Sequence, residues 1–137
     1  MLKKKALRLI DANFNRVKEG LRVCEDVLRF MYDDEANTGA FKRLRHKCSK
    51  ILLEFPIPYQ ILITNRAAND DVGKDSAIFE KKKPNWKDLF TSNIKRAEEG
   101  LRVLEEASKV ITPKQSSRFQ SLRFELYELE KRVFKKF

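Results

Sequence analysis

The stretch NFNRVKEGLRVCED, residues 13–26, decides the fold of this chain because it recurs eighty residues later as NIKRAEEGLRVLEE, residues 93–106. Eight of the fourteen positions are identical, and five of those eight are polar or charged. A repeat that served packing alone would keep mainly apolar positions. We therefore interpret the pattern as a duplicated structural unit whose polar residues carry a function.

Apolar residues around both copies recur every three or four positions, which is the spacing of an amphipathic helix. The spacing predicts four helices, over about 7–31, 40–54, 86–111 and 113–134. The predicted inward residues are Ile10, Phe14, Val17, Leu21, Cys24 and Leu28; Phe41, Leu44, Cys48, Ile51 and Leu52; Leu89, Phe90, Ile94, Ala97, Leu101, Leu104 and Ala107 or Ser108; and Phe119, Leu122, Leu126, Leu129 and Val133.

A second, shorter repeat pairs these helices. Phe41-x-x-Leu44-Arg45 returns as Phe119-x-x-Leu122-Arg123, so the duplicated unit is a helix pair. Repeat one covers 7–54 and repeat two covers 86–135, within a single helical domain over 1–137. We predict an all-α fold, a four-helix bundle built from two repeated helical hairpins with an approximate internal two-fold axis.

Turn-forming residues divide the helices. Thr38 is a candidate cap for the second helix, and Thr112 before Pro113 is one for the fourth. Pro56 and Pro58 should end the second helix, with 59–63 as a short extended piece. The connecting loop 55–85 is too long for a passive turn, so it is either functional or disordered.

The charge balance favours an anionic partner. A formal net charge of +10 raises the expectation of nucleic acid, nucleotides or phosphorylated metabolites as ligands. We interpret the lysine runs at 3–5, 81–83 and 135–136 as a solubilising surface. His46 and the two cysteines form neither a metal-ligand spacing nor a disulfide framework. With no signal peptide and no apolar run long enough to span a membrane, we expect a cytoplasmic protein.

Two glycines lie inside the predicted helices. Gly20 falls seven residues after Asn13, on one edge of the apolar stripe, and Gly100 stands in the same relation to Asn93. A glycine within a helix costs about 1 kcal/mol relative to alanine. Its use at both equivalent positions implies a close approach, by a partner helix, by a ligand, or by both.

The flank of the stripe carries charged residues in both copies. Arg16, Glu19 and Asp26 lie on this flank and return as Arg96, Glu99 and Glu106, while Arg22 and its copy Arg102 lie further round each helix. They form either a ladder of salt bridges along each helix or a ligand site. Exposed pairs of this kind contribute only a few tenths of a kcal/mol. Arginine forks are, by contrast, natural ligands for phosphate.

These motifs resemble those of a known family. The residues 10–26, their copy at 93–106, and the spacing Arg66-x-x-x-x-Asp71-x-Gly73 between them resemble the helical domain that precedes thiamine-phosphate synthase in some bacteria. That domain is assigned as a hydroxymethylpyrimidine-phosphate kinase. The resemblance implies ATP-dependent phosphorylation of hydroxymethylpyrimidine monophosphate to the diphosphate used in thiamine biosynthesis. The synthase barrel is absent here, which implies action alone or with a separate synthase.

The resemblance also implies roles for particular residues. Mg²⁺ is the implied cofactor and ATP the co-substrate, with a phosphorylated pyrimidine as the second partner. Asp71 is the expected metal ligand, with Glu19 as the alternative. The expected catalytic residues are Arg16, Glu19, Arg22 and Asp71. The expected substrate-binding residues are Asn13, Arg66, Gly73, Asn93, Arg96, Glu99 and Arg102.

Two other functions stay open at this point. One is a non-catalytic helical module that binds nucleic acid through its positive charge, and the other is a module that assembles with a separate thiamine-phosphate synthase. The sequence does not decide whether both repeats carry a site or whether the chain forms a homo-oligomer. It also leaves open the phosphate donor and which carboxylate binds metal.

Overall fold

Five α-helices make up most of the computed structural model, which describes residues 2–74, 82 and 85–137. Helix α1 spans Leu2–Asp26 and runs into a π-helical turn at Val27–Met31; α2 is Glu35–Glu54, α3 is Tyr59–Thr64, α4 is Trp86–Ile111 and α5 is Ser116–Phe134. Short 3₁₀ turns stand at Ala68–Asp70 and Pro113–Gln115. The described residues contain no strand, which confirms the all-α prediction.

The four long helices pack as two hairpins. Helix α1 packs against α2 and α4, α4 packs against α5, and α5 closes the group against α2. The predicted inward residues form one core, in which the ring of Phe14 contacts Phe55 and Phe119 from both hairpins. None of the described helices is long and apolar enough to cross a membrane.

Contacts between α1 and α4 have the two-fold relation that the repeat predicts. A Cβ on Gly20 would lie 2.8 Å from the Asn93 backbone oxygen, and one on Gly100 would lie 3.3 Å from the Asn13 backbone oxygen. Because each glycine faces the other helix's asparagine, the two helices cross antiparallel through equivalent surfaces. The close approach that requires the glycines is therefore that of the partner helix.

Equivalent buried ion pairs join the helices within each hairpin. Arg45 of α2 donates to both carboxylate oxygens of Glu25, at 2.9 and 3.3 Å. Its counterpart Arg123 of α5 contacts Glu105 at 2.9 Å. Both glutamates are buried. The repeated glutamate thus holds each hairpin together, because a buried carboxylate needs a charged, hydrogen-bonded partner.

Several predicted boundaries were wrong. Helix α2 begins at Glu35, because the side chain of Asp34 accepts a hydrogen bond from the Asn37 N–H, so Asp34 is the cap and Thr38 lies inside the helix. The side chain of Thr112 makes no capping bond, and Pro113 opens a 3₁₀ turn before α5.

The segment 59–63, predicted as extended, is helical. The described residues offer no strand with which it could pair, so a helix satisfies its backbone internally. Helix α3 buries Leu62 against the core. By contrast, α4 has the predicted bounds, and α2 ends before Pro56 as expected.

Candidate functional site

A cleft of about 410 Å³ opens between α1 and the segment that follows α3. Helix α1 forms one wall, and residues 66–71 form the other. Four of the predicted site residues, which come from two motifs some fifty positions apart in the sequence, meet here. They are Asn13, Arg16, Arg66 and Asp71.

The two walls are joined by a charged pair. Arg66 donates from Nε to Oδ2 of Asp11 at 2.5 Å and from Nη2 to Oδ1 at 2.9 Å. Asp11 is only 5% exposed, although it lies on the polar edge of α1. The hydrogen bonds that Arg66 donates to Asp11 raise the pKa of Arg66 further above its usual value. This bidentate pair fixes the position of the loop on the helix, because a planar guanidinium matches a carboxylate in one orientation.

The sequence motifs did not single out Asp11. The available signal was a difference between the two copies, since Thr91 occupies the position of Asp11 in repeat two. Threonine has no charge with which to hold an arginine. The described part of repeat two therefore has no counterpart of this pair.

Asn13 holds the next functional side chain in place. Its Nδ2 donates to the Leu9 backbone oxygen at 2.8 Å, and its Oδ1 accepts from Nη1 of Arg16 at 3.2 Å. Asn93 makes the same bond to the Leu89 backbone oxygen at 2.8 Å. Asn13 is buried, whereas Arg16 is exposed on the cleft wall. The asparagine thus acts on its own helix and orients the arginine.

Asp71 provides the second carboxylate of the cleft. Its Oδ1 accepts a hydrogen bond from the Gly73 backbone N–H at 2.8 Å, which closes the turn of the Asp-x-Gly motif. Gly73 itself is outside the cleft lining. Within the described ranges, no group of three or more His, Cys, Asp or Glu side chains could hold a metal. Asp71 alone nevertheless suits Mg²⁺, which often uses one or two carboxylates together with substrate phosphates.

Positive charge is in excess along the cleft. Lys5, Arg8, Arg16 and Arg66 line it, against Asp11 and Asp71. Arg66 is already paired with Asp11. In the part of the chain that the structure describes, no carboxylate lies within 4.0 Å of the charged groups of Lys5, Arg8 or Arg16. Such a surface favours an anionic ligand.

The other predicted site residues lie outside this cleft. Arg22 is 3.9 Å from Glu25 and 3.7 Å from Asp26. Arg102 is 3.9 Å from Glu105 and 3.3 Å from Glu106, so both arginines take part in salt bridges along their helices. The remaining side chains, Glu19, Arg96 and Glu99, are exposed on α1 and α4. Asn93 contributes its backbone oxygen to the contact with Gly20.

A separate acidic cluster lies between α4 and α5, in which Glu98 is buried, Glu130 is partly buried and Lys95 is exposed. The pKa of Glu98 is raised to about 7, mainly by burial and also by the hydrogen bond and the charge of Glu130. Lys95 acts in the opposite direction and lowers the pKa of Glu98. Lys95 contacts Glu98 at 3.2 Å and Glu130 at 3.1 Å. Lys18 occupies the position of Glu98 in repeat one, so this cluster belongs to the second copy alone.

Comparison with known proteins identifies the family. The ThiD2 family model matches residues 8–132, so this all-helical chain, with its cation-rich cleft on α1, belongs to the ThiD2 family. The resemblance seen in the sequence is thereby confirmed.

Thiamine-phosphate synthases are among the similar curated proteins. That of Prochlorococcus marinus is 33% identical over 129 residues, which cover 93% of this chain and 36% of the relative. The Nostoc sp. protein is 33% identical over 127 residues, and that of Thermosynechococcus vestitus is 34% identical over 124. In both, the match covers 90% of this chain and 34% of the relative. The chain thus spans about a third of the length of these relatives. No solved structure matches it.

Proposed function

We propose that this protein acts in thiamine biosynthesis by transferring the γ-phosphoryl group of ATP to hydroxymethylpyrimidine monophosphate. The observation that carries the proposal is the meeting of Asn13, Arg16, Arg66 and Asp71 in one cation-rich cleft. Membership of the ThiD2 family and similarity to thiamine-phosphate synthases support the pathway. Repeat one and its loop would supply the site.

The chemistry of the acceptor fits the residues in the cleft. A phosphate monoester has a second pKa of about 6, so its oxygen is already deprotonated at neutral pH. That oxygen attacks the γ-phosphorus, the bond to the β–γ bridging oxygen breaks, and ADP leaves with the electron pair. No proton has to be removed from the nucleophile. The site therefore needs positioning and positive charge more than it needs a general base.

The named side chains have matching roles in this proposal. Arg16, held by Asn13 at 3.2 Å, would bind the transferred phosphoryl group or the acceptor phosphate. Arg66 binds Asp11 through Nε and Nη2. Its Nη1 has no hydrogen-bond partner among the described residues, so this nitrogen would be available to the acceptor phosphate. Asp71 would hold Mg²⁺, which neutralises phosphate charge when it is bound.

A direct assay tests the proposal. The purified chain is incubated with ATP, Mg²⁺ and hydroxymethylpyrimidine monophosphate, and formation of the diphosphate is followed. We expect turnover, and we expect Asp71→Asn to lower kcat and raise the Mg²⁺ concentration required, because the amide retains the bond to Gly73 but loses its charge. A folded protein that shows no turnover, but forms a stable complex with a separate thiamine-phosphate synthase, would replace the kinase by the assembly-module function.

A further inference from the structure

The cleft extends beyond the residues that the motifs identify. Lys5 and Arg8 also line it, on the same wall as Arg16. At 100° per residue, positions 5, 8, 12 and 16 share one face of α1, and the rise of about 1.5 Å per residue separates Lys5 from Arg16 by about 16 Å. Ala12, the small residue within this row, leaves the wall open between Arg8 and Arg16.

This arrangement belongs to the first copy only. With the offset of eighty residues, the positions of Lys5 and Arg8 in repeat two are Asn85 and Asp88. There, the Asn85 side chain accepts a hydrogen bond from the Asp88 N–H at 2.8 Å and caps α4. Arg16, by contrast, is retained as Arg96. The two copies thus share the arginine but differ in the cations that extend the row.

The charges in the row lack protein partners. Like charges three or four residues apart on a helix repel one another, so Lys5 and Arg8 destabilise α1 slightly unless an anion lies between them. In the described part of the chain, neither approaches a carboxylate to within 4.0 Å. Among the residues that the structure describes, the carboxylates lining this cleft are Asp11, which is paired with Arg66, and Asp71 at the loop wall.

We propose that Lys5 and Arg8 bind the polyphosphate chain of the nucleoside triphosphate donor, while Arg16 and Arg66 face the acceptor phosphate. This inference rests on the proposed function, and it divides the cleft into a donor half and an acceptor half. An elongated row of cations suits a ligand whose charges are also arranged in a line. A single phosphate, as on the pyrimidine, needs only one end of the row.

Direct binding separates the two halves without turnover. The chain is titrated calorimetrically with the magnesium complex of a non-hydrolysable ATP analogue, and separately with hydroxymethylpyrimidine monophosphate. The variant Arg8→Asp places at this position the aspartate that repeat two has as Asp88. We expect it to weaken binding of the analogue by about tenfold to a hundredfold, because charged hydrogen bonds are lost. Binding of the pyrimidine phosphate should change by no more than about twofold.

Lys3→Asp is the matched control. It changes the net charge by the same amount and lies on the same helix, but outside the cleft lining. The donor site would be overturned if Lys3→Asp and Arg8→Asp weakened binding of the ATP analogue equally. It would also be overturned if Arg8→Asp weakened binding of the pyrimidine phosphate alone, or changed neither affinity. If Arg8→Asp does not fold, Arg8→Gln and Lys5→Asn are used with the same criteria. If the variants change binding as expected but the unmodified chain forms no diphosphate, the donor site is retained and the proposed kinase reaction is rejected.

Discussion

Asp11 of α1 and Arg66 of the loop, 55 residues apart in the chain, make two hydrogen bonds of 2.5 and 2.9 Å across the edge of the cleft. Helix α1 alone would present a convex row of cations to solvent. The pair adds a second wall, because it holds Ala67, Ala68 and Asp71 opposite that row. The site therefore depends on a tertiary contact that the internal repeat does not contain.

We expect this pair to matter more for activity than for stability. Arg66→Lys keeps the charge but cannot make the bidentate contact, so the loop loses its fixed position. Arg66 is 37% exposed, and we expect the free energy of unfolding to fall by only about 1 kcal/mol. Steady-state kinetics should show kcat/KM reduced by about tenfold or more. Unchanged kinetics, together with an unchanged urea midpoint, would show that the pair does not shape the site.

The helix crossing gives a prediction about stability. Gly20→Ala would bring a Cβ to 2.8 Å from a backbone oxygen, which cannot move without shifting α4. Despite the better helix propensity of alanine, we expect a net loss of about 1–2 kcal/mol in the free energy of unfolding.

Gly39→Ala is the control for this substitution. Gly39 lies inside α2, where a Cβ would meet only the end of the flexible Arg43 side chain at 3.3 Å. Alanine should therefore stabilise the protein there, by up to about 1 kcal/mol. Urea denaturation of the two variants should show shifts of opposite sign. Equal shifts would mean that the α1–α4 contact is looser than described.

The buried Glu98 predicts how stability depends on pH. Its pKa is raised from 4.5 to about 7 in the folded protein, so the folded state binds more protons than the unfolded state between these values. Stability attributable to this group is therefore greatest at low pH and falls as the pH rises from about 4.5 through 7.

Glu98→Gln removes that titration while keeping the shape of the side chain. We expect the variant to gain stability relative to the original protein as the pH is raised from 5 to 8, as measured by urea unfolding at each pH. The comparison reports Glu98 together with its contacts to Glu130 and Lys95, since the titrating groups outside this cluster are common to both proteins. A constant difference across that range would show that Glu98 is already ionised at pH 5.

Much of this fold could be predicted from the sequence. The period of the apolar residues predicts the four long helices, and the repeated helix pair predicts an approximate two-fold axis. Gly20 and Gly100 predict a close approach at equivalent positions, but only the structure shows that the partner helix makes it. The capping of α2 by Asp34 could have been predicted, but Thr38 before Gly39 offered an equally good local signal. Helix α3 was missed because Ile61 and Ile63 favour strands locally, and only tertiary context shows that no strand is available to pair with them.

The site was predictable only in part. The motifs named Asn13, Arg16, Arg66 and Asp71, but Asp11 was missed because its partner is distant in sequence. Lys5 was interpreted as part of a solubilising run, and one-dimensional patterning cannot show that Lys5 lines the cleft whereas Lys3 and Lys4 do not. Whether a lysine of α1 lines the cleft depends on which face of the helix lies opposite the loop. The Asp11–Arg66 pair determines that face, because it fixes the loop on the helix.

The most direct test of the central claim compares the same substitution in the two copies. Arg16 lines the cleft, whereas the equivalent Arg96 is exposed outside it. The rate of diphosphate formation from ATP and hydroxymethylpyrimidine monophosphate is measured for Arg16→Ala and Arg96→Ala. We predict that Arg16→Ala lowers kcat/KM by about a hundredfold or more, the size of effect expected when one charge-stabilising group is removed. The kcat/KM of Arg96→Ala should remain close to that of the original protein. Equal losses of kcat/KM in the two variants, or a loss confined to Arg96→Ala, would contradict a single site on repeat one.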